Sequence, residues 1–206
     1  VLKNNTKVIF VVKANAYGHG LVPVAQTAWA AGVRWFAVAH IDEVAALRRE
    51  LPEANILVLG VLQADAAAAA AELRAIPVLV SHRQATALAG VLPAGATLEC
   101  HVKVDTGMGR LGFAWQTAAN ELAEILKHHP ALRLTGLCTH FASANPVARF
   151  HGDGTQVEIF ADTQLDRFRH VLTGLTHRDI HIPFHHVSNS GGVLCDAAWE
   201  LEGVRV

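Results

Sequence analysis

The sequence predicts an α/β protein folded as a closed (β/α)8 barrel of the TIM type, and three observations support this. Eight short apolar runs recur along the 206 residues. Polar or glycine-containing turns follow them, and segments with helical spacing lie between them. No G-x-G-x-x-G turn follows the first run, although an open doubly wound sheet is expected to carry one there. Because parallel strands need long crossover connections, eight such units favour a closed barrel, and the open sheet is the alternative.

The predicted strands are the apolar runs themselves. In chain order they cover residues 7–14, 35–40, 55–60, 77–81, 97–105, 132–141, 184–189 and 203–206. Helical periodicity predicts helices over residues 42–51, 65–75, 116–128 and 155–172. Asp42 and Asp65 stand at the expected N-caps, where a carboxylate accepts hydrogen bonds from the free N–H groups of a first turn.

Composition excludes several classes of protein. Hydrophobic residues make up 51% of the chain and charged residues 17%, which excludes a disordered chain. The formal net charge is -1 and no basic block occurs, so we expect no nucleic-acid partner. No apolar run reaches the roughly 18 residues of a membrane span, and no signal peptide is recognisable, so we expect a soluble protein.

The cysteines and the chain ends add two expectations. Cys100, Cys138 and Cys195 are odd in number, far apart and never in a C-x-x-C pair, which predicts a reducing, cytoplasmic location. The sequence begins at Val1 rather than at a methionine, and it ends at Val206 directly after an apolar run. We therefore expect one barrel domain over residues 1–206, truncated at both ends from a longer polypeptide.

The first candidate reactive group is Lys13, which closes the first predicted strand. In a (β/α)8 barrel the reactive groups lie at the C-terminal ends of the strands and in the loops that follow. A poorly solvated amine at that place is a candidate for Schiff-base formation with a carbonyl compound. The alternative is a structural lysine that pairs with a neighbouring carboxylate.

The fifth predicted strand carries ionisable groups on one face. Glu99, His101, Lys103 and Asp105 alternate with less polar residues, whereas barrel interiors are normally filled with valine, isoleucine and leucine. A glycine-rich stretch, GMGRLG, follows and presents Arg110, whose fixed donor fork suits a carboxylate or a phenolate oxygen. A solvated surface arginine is the alternative.

The seventh predicted strand leads into a serine-glycine turn. Ser190, Gly191 and Gly192 leave backbone N–H groups accessible, as in the phosphate sites that barrels form after strands seven and eight. An ordinary turn is the alternative. His177, His181 and His185 recur every four residues, but Pro183 favours a loop over a helix there, so we predict no metal site.

A Schiff-base lysine together with a phosphate site suggests pyridoxal 5'-phosphate as the cofactor. The sequence closely resembles the alanine racemases at this point. The resemblance covers VVKANAYGHG at 11–20, AVA at 37–39, KVDTGMGRLG at 103–112, THFA at 139–142, NSGG at 189–192 and VR at 204–205. The first and third of these motifs are the most specific.

The resemblance implies a role for each matched residue. Lys13 would hold the cofactor covalently and act as one of two acid/base groups at the substrate α-carbon, while Tyr17 and Ser190, with the Gly191 backbone, would contact the phosphate. Arg110 would bind the phenolic oxygen of the cofactor and the substrate carboxylate. Lys103, which is carbamylated in some members, would position Arg110. His140 would support Arg205, which would contact the pyridine nitrogen. Asn189 would line the pocket.

The resemblance also implies a homodimer that supplies D-alanine for the cell wall. Family members carry a C-terminal β domain whose tyrosine reaches the partner subunit's site, and the present chain has a single tyrosine, Tyr17. Three alternatives stay open: a serine or broad-specificity racemase, a single-domain carrier of the cofactor, and an apolar barrel whose Lys13 is structural.

Overall fold

The computed structural model contains a closed ring of eight parallel strands, as the sequence predicts, and describes residues 2, 5–144, 160–195 and 199–206. β1 pairs with β2 on one side and with β9 on the other, and pairing of β4 with β5 closes the ring. A short strand, β6, adds to the end of β5 outside the ring. The strands are β1 (Lys7–Val11), β2 (Trp35–Val38), β3 (Asn55–Val58), β4 (Ala75–Leu79), β5 (Leu98–Asp105), β6 (Phe113–Ala114), β7 (Leu132–Cys138), β8 (Phe184–His186) and β9 (Gly203–Arg205).

Helices follow the strands and pack on the outside of the ring. They are α1 (Lys13–Tyr17), α2 (Leu21–Ala30), α3 (Ile41–Glu50), α4 (Ala67–Glu72), α5 (His82–Ala89), α6 (Ala118–His128), α7 (Phe160–Thr176) and α8 (Ser190–Cys195). All four predicted helices have a counterpart, although residues 155–159 of the fourth lie outside the described residues. Among the described helices, none combines the length and the apolar character that a membrane crossing needs.

Several predicted strands extend too far at their C-terminal ends. The first was predicted to residue 14 but ends at Val11, and those predicted to residues 141 and 189 end at Cys138 and His186. The fourth lies at Ala75–Leu79 rather than at 77–81. The loop residues that follow β7 and β8 are themselves buried, as Phe141 and Val187 show. Hydrophobicity therefore does not mark where the ladder of hydrogen bonds stops.

Both predicted N-caps are wrong. α3 begins at Ile41, so Asp42 lies inside its first turn, and Glu43 accepts the hydrogen bond from the backbone N–H of His40. Asp65 lies in a 3-10 turn that precedes α4 and makes no capping hydrogen bond. In both cases the aspartate lies one or two positions from the residue that occupies the N-cap in the structure.

The barrel lumen is apolar on one side and polar on the other. A small cluster of buried side chains fills the apolar side, and it consists of Ile9, Ala37, Leu57, Ile76, Val78 and Cys138. His101 and His186 lie on the polar side, and the His101 ring contacts the rings of Trp35 and Phe184. Gly136 makes room for His101, because a Cβ at this position would lie 2.4 Å from three atoms of that ring.

The three histidines considered for a metal site do not share a helix. α7 ends at Thr176, so His177 follows it in a turn, and His181 lies in the loop that enters β8. The Nδ1 atom of His185, on β8 itself, lies 3.1 Å from a carboxylate oxygen of Glu202. The regular spacing in sequence therefore does not bring these imidazoles to one point.

Candidate active site

A cavity of about 620 Å³ opens at the C-terminal ends of the strands and gathers most of the predicted site residues. Of the predicted phosphate contacts, Gly191 and Gly192 are not among the described residues that line it, but the Gly191 backbone packs closely, because a Cβ there would lie 2.4 Å from the Ala144 carbonyl oxygen. The lining residues that were predicted are Lys13, Tyr17, Lys103, Arg110, His140, Asn189, Ser190 and Arg205. The ends of β1, β5, β7, β8 and β9 thus converge on one space.

A left-handed turn positions Lys13 and Tyr17 on this cavity. The four residues Ala14, Asn15, Ala16 and Tyr17 have φ between 52° and 55°, a region that costs about 1–2 kcal/mol for each residue with a Cβ. The Asn15 side chain stabilises the turn, because its Oδ1 accepts the backbone N–H of Leu21 at 2.8 Å. Nothing in the sequence predicted this turn, except that asparagine tolerates the left-handed region.

The polar face of β5 continues into the loop that carries Arg110. Asp105 Oδ1 accepts backbone N–H bonds from Gly107 at 2.9 Å and Gly109 at 3.1 Å, which shapes the start of this loop. Burial acts to raise the pKa of Asp105, but those N–H donors outweigh it and the pKa is lowered. Asp105 is therefore a carboxylate that organises the loop.

Lys103 lies on the same face and has no ion-pair partner among the described residues. Burial lowers the pKa of its ammonium group, and the nearby guanidinium groups of Arg110 and Arg205 lower it further. The neutral amine is thus favoured relative to a lysine in water.

Arg205 is buried and bound by neutral acceptors. Its Nη1 donates to the carbonyl and to Nδ1 of His186, at 2.9 and 2.5 Å, and its Nη2 donates to the carbonyls of Thr139 and Val187, at 2.7 and 2.8 Å. None of the ion pairs in the described parts of the chain includes it. Burial lowers its pKa, and the group faces the cavity without a carboxylate partner.

His186 belongs to the site although no motif in the sequence marks it. We expected His140 to support Arg205, but the imidazole hydrogen-bonded to Arg205 in the described structure is that of His186. A possible signal was the position of His186 inside a strand, one residue after His185. An imidazole at an inward position of a barrel strand needs a partner, because a buried polar group without a hydrogen bond is costly.

His140 lines the cavity as a neutral imidazole. Burial and the positive charges of Arg205, Lys103, Arg110 and Lys13 lower its pKa from 6.5 to about 4. The cavity itself is rich in basic groups, since two lysines and two arginines line it and no aspartate or glutamate is among the described lining residues. Such a site can bind a ligand that carries several negative charges and can offer it an amine as nucleophile.

The comparison with known families gives the assignment. The family model described as "Alanine racemase, N-terminal domain" matches residues 1–206. The chain belongs to the alanine racemase family. Among relatives of this family, alanine racemase of Geobacillus stearothermophilus is 41% identical over 198 residues, covering 94% of this chain and 47% of the relative. Alanine racemase of Synechocystis sp. (strain ATCC 27184 / PCC 6803 / Kazusa) is 38% identical over 203 residues, covering 98% and 52%.

Solved structures of alanine racemases have the same fold. The structure from Clostridium difficile 630 superposes with a TM-score of 0.88 at 28% identity, covering 99% of this chain and 54% of that chain. The Bacillus anthracis structure with bound L-Ala-P gives a TM-score of 0.89 at 31% identity, covering 99% and 50%. The present chain therefore spans about half the length of the family members that it matches.

Proposed function

We propose that this chain forms the cofactor-binding barrel, as one domain over residues 1–206, of a pyridoxal 5'-phosphate-dependent alanine racemase that interconverts L- and D-alanine. The observation that carries the proposal is a cavity lined by Lys13, Lys103, Arg110 and Arg205 with no acidic side chain among its described lining residues. Family membership supports the same reaction. The cofactor and the amino-acid substrate bring a phosphate, a phenolic oxygen and a carboxylate, which match this set of basic side chains.

The residues present fit pyridoxal 5'-phosphate. Lys13 offers an amine for the aldehyde, and the hydroxyl groups of Tyr17 and Ser190 and the Asn189 amide offer polar contacts for the phosphate. Arg205 has donors only, so it suits a ring nitrogen that carries no proton. When bound, the cofactor supplies an electron sink that makes the α-proton of the amino acid acidic enough to be removed.

The chain's own residues would then bind and orient the substrate and move a proton. Arg110 would bind the substrate carboxylate through its donor fork, with Lys103 beside it. The Lys13 amine would take the α-proton from one face of the α-carbon or return a proton to it. Racemisation requires a second acid/base group on the opposite face.

We propose that this second group is a tyrosine from a C-terminal domain of the partner subunit in a homodimer. Tyr17 is the only tyrosine of this chain, and the proposal already assigns it to the phosphate. Exposed apolar side chains that line the cavity support a covering partner, since Tyr17 is 62% exposed and Leu111 37%. The three free thiols support our expectation of a cytoplasmic protein.

The test uses the protein expressed from its complete reading frame and loaded with pyridoxal 5'-phosphate. Borohydride reduction followed by peptide mapping should place the cofactor on Lys13, and the visible absorbance of the bound cofactor should be lost in Lys13→Ala. Turnover is measured as D-alanine formed from L-alanine, with L-serine and L-lysine as competing substrates. A label on another lysine, or no turnover of any of the three amino acids, would contradict the proposal.

A further inference from the structure

Three outer helices carry the same structural device near their starts. Glu43 of α3, Gln84 of α5 and Gln164 of α7 each accept a hydrogen bond from a backbone N–H in the segment that follows the preceding strand. Each also bonds to the loop that follows the neighbouring strand of the ring. We call these three side chains the loop clamps.

The Gln164 clamp joins two loops of the proposed site. Its Oε1 accepts the N–H of Ala142 at 2.8 Å, and its Nε2 donates to the His140 carbonyl at 3.1 Å and to the Thr106 hydroxyl at 3.0 Å. Thr106 begins the loop that carries Arg110, and its hydroxyl also bonds to that of Thr139 at 2.7 Å. Gln164 is completely buried, so water cannot replace these bonds.

The Glu43 clamp holds the left-handed turn after Lys13. One carboxylate oxygen accepts the backbone N–H groups of Ala39 at 2.8 Å and His40 at 3.2 Å, at the end of β2. The other accepts the N–H of Asn15, in the middle of the turn, at 3.3 Å. The turn is conformationally unfavourable by itself, so contacts such as this one keep it in place.

The Gln84 clamp has the same construction but reaches no site residue. Its Oε1 accepts the N–H of Val80 at 2.9 Å, and its Nε2 donates to the Leu62 carbonyl at 3.2 Å. Neither Val80 nor Leu62 is among the residues that line the cavity. Gln84 is also buried, and the Ser81 hydroxyl caps its helix by accepting the Gln84 N–H at 3.2 Å.

We propose that Gln164 and Glu43 are positioning residues for the racemase reaction, acting on Arg110 with His140 and on Lys13 respectively, whereas Gln84 serves the fold alone. This inference rests on the proposed function. Arg110 and Lys13 both lie on segments outside the ladder of the barrel strands, so the ladder does not fix their position. The clamps supply that constraint from the outer layer of helices.

The experiment replaces each clamp with methionine. Its side chain is about as long as that of glutamine or glutamate, but it has no amide or carboxylate to form these hydrogen bonds. The protein expressed from its complete reading frame and loaded with cofactor is used throughout. Gln164→Met and Glu43→Met should lower kcat/KM for alanine by roughly 10-fold to 100-fold, the effect of a small misplacement of reacting groups. Gln84→Met should lower stability to a similar degree and change kcat/KM by less than about 2-fold.

Two readouts separate positioning from general loss of structure. The loss in Gln164→Met should be largest in KM, since Arg110 binds the substrate, and the loss in Glu43→Met largest in kcat, since Lys13 moves the proton. Glu43→Gln keeps one acceptor oxygen, which can hold either the Asn15 N–H or the Ala39 and His40 N–H groups but not both, so it should restore only part of kcat. Gln164→Glu loses both donated bonds and should restore little. These conservative variants keep the test valid where a methionine variant folds poorly.

Hydrogen exchange gives a test without turnover. Gln164→Met should speed amide exchange in residues 106–112 and Glu43→Met in residues 14–18, with Gln84→Met altering neither segment. Unchanged exchange in those segments, or an equal loss of kcat/KM in Gln84→Met, would overturn the inference. An inactive wild-type protein would instead contradict the proposed function, and the exchange experiment would still decide on the clamps.

Discussion

Arg205 donates a hydrogen bond to Nδ1 of His186 at 2.5 Å, and this contact fixes the hydrogen positions of a chain of buried groups. A guanidinium has no acceptor, so Nδ1 of His186 is an acceptor and its proton lies on Nε2. That Nε2 lies 2.9 Å from Nδ1 of His101, which must accept in turn. His101 therefore carries its proton on Nε2, a buried atom with no hydrogen-bond partner among the described residues.

The first prediction concerns these tautomers. Because every donor in this series of hydrogen bonds points away from Arg205, both imidazoles should be neutral and protonated at Nε2. Burial is the main factor that lowers the pKa of each ring, and the charge of Arg205 adds to it. Nitrogen-15 NMR of histidine-labelled protein at neutral pH reads the tautomer directly. An imidazolium signal from either residue would contradict the assignment.

The second prediction follows for stability against pH. Burial lowers the pKa of His101 from 6.5 to about 3. Below pH 6.5, His101 therefore binds a proton in the unfolded chain while it stays neutral in the folded chain. The free energy of unfolding should therefore fall as the pH falls from 6.5 towards 3, by up to about 1.4 kcal/mol per pH unit for each such histidine. Urea unfolding at several pH values measures the slope.

His101→Asn provides the control for that slope. Its amide oxygen can still accept from His186 Nε2, but the side chain does not titrate. The variant should lose the share of the pH dependence that belongs to His101. An unchanged slope in His101→Asn would show that other groups cause the acid destabilisation.

The third prediction concerns strain in the turn after Lys13. Ala14 is exposed and has φ of 53°, a conformation that glycine adopts without the steric cost of a Cβ. Ala14→Gly should therefore raise the free energy of unfolding by about 1 kcal/mol. Ala87 is also exposed but lies within the right-handed helix α5, so Ala87→Gly should lower it by about 1 kcal/mol. If chemical denaturation shows that both substitutions change the free energy of unfolding in the same direction, the turn is not strained.

The fourth prediction concerns Lys103. Its lowered pKa and its lack of an ion-pair partner in the described structure favour a neutral amine that reacts with carbon dioxide. The carbamate would place a negative charge beside Arg110 and Arg205. Carbon-13 NMR with labelled bicarbonate should show one protein-bound carbonyl resonance that Lys103→Met removes. A spectrum without such a resonance at saturating bicarbonate would exclude the modification.

Much of the site could be predicted because its residues follow the strands directly. Lys13, Arg110 and Ser190 lie in the segments that follow strands whose order the sequence makes clear, and a parallel barrel brings all such segments to one end. His186 and Gln164 could not be found in this way. Each acts through partners distant in sequence, 19 residues for His186 with Arg205 and 58 for Gln164 with Thr106, and no local pattern marks such a pair.

The sequence by itself determined the eight-stranded barrel, the end of it where the candidate site lies, and the family, because hydrophobic periodicity and short motifs are local properties. Only the tertiary structure decided where strands stop, which imidazole contacts Arg205, and how the backbone turns at Ala14–Tyr17. Those features depend on burial and on hydrogen bonds between separate elements. Such contacts stabilise the protein only after the ring has closed and water has been excluded.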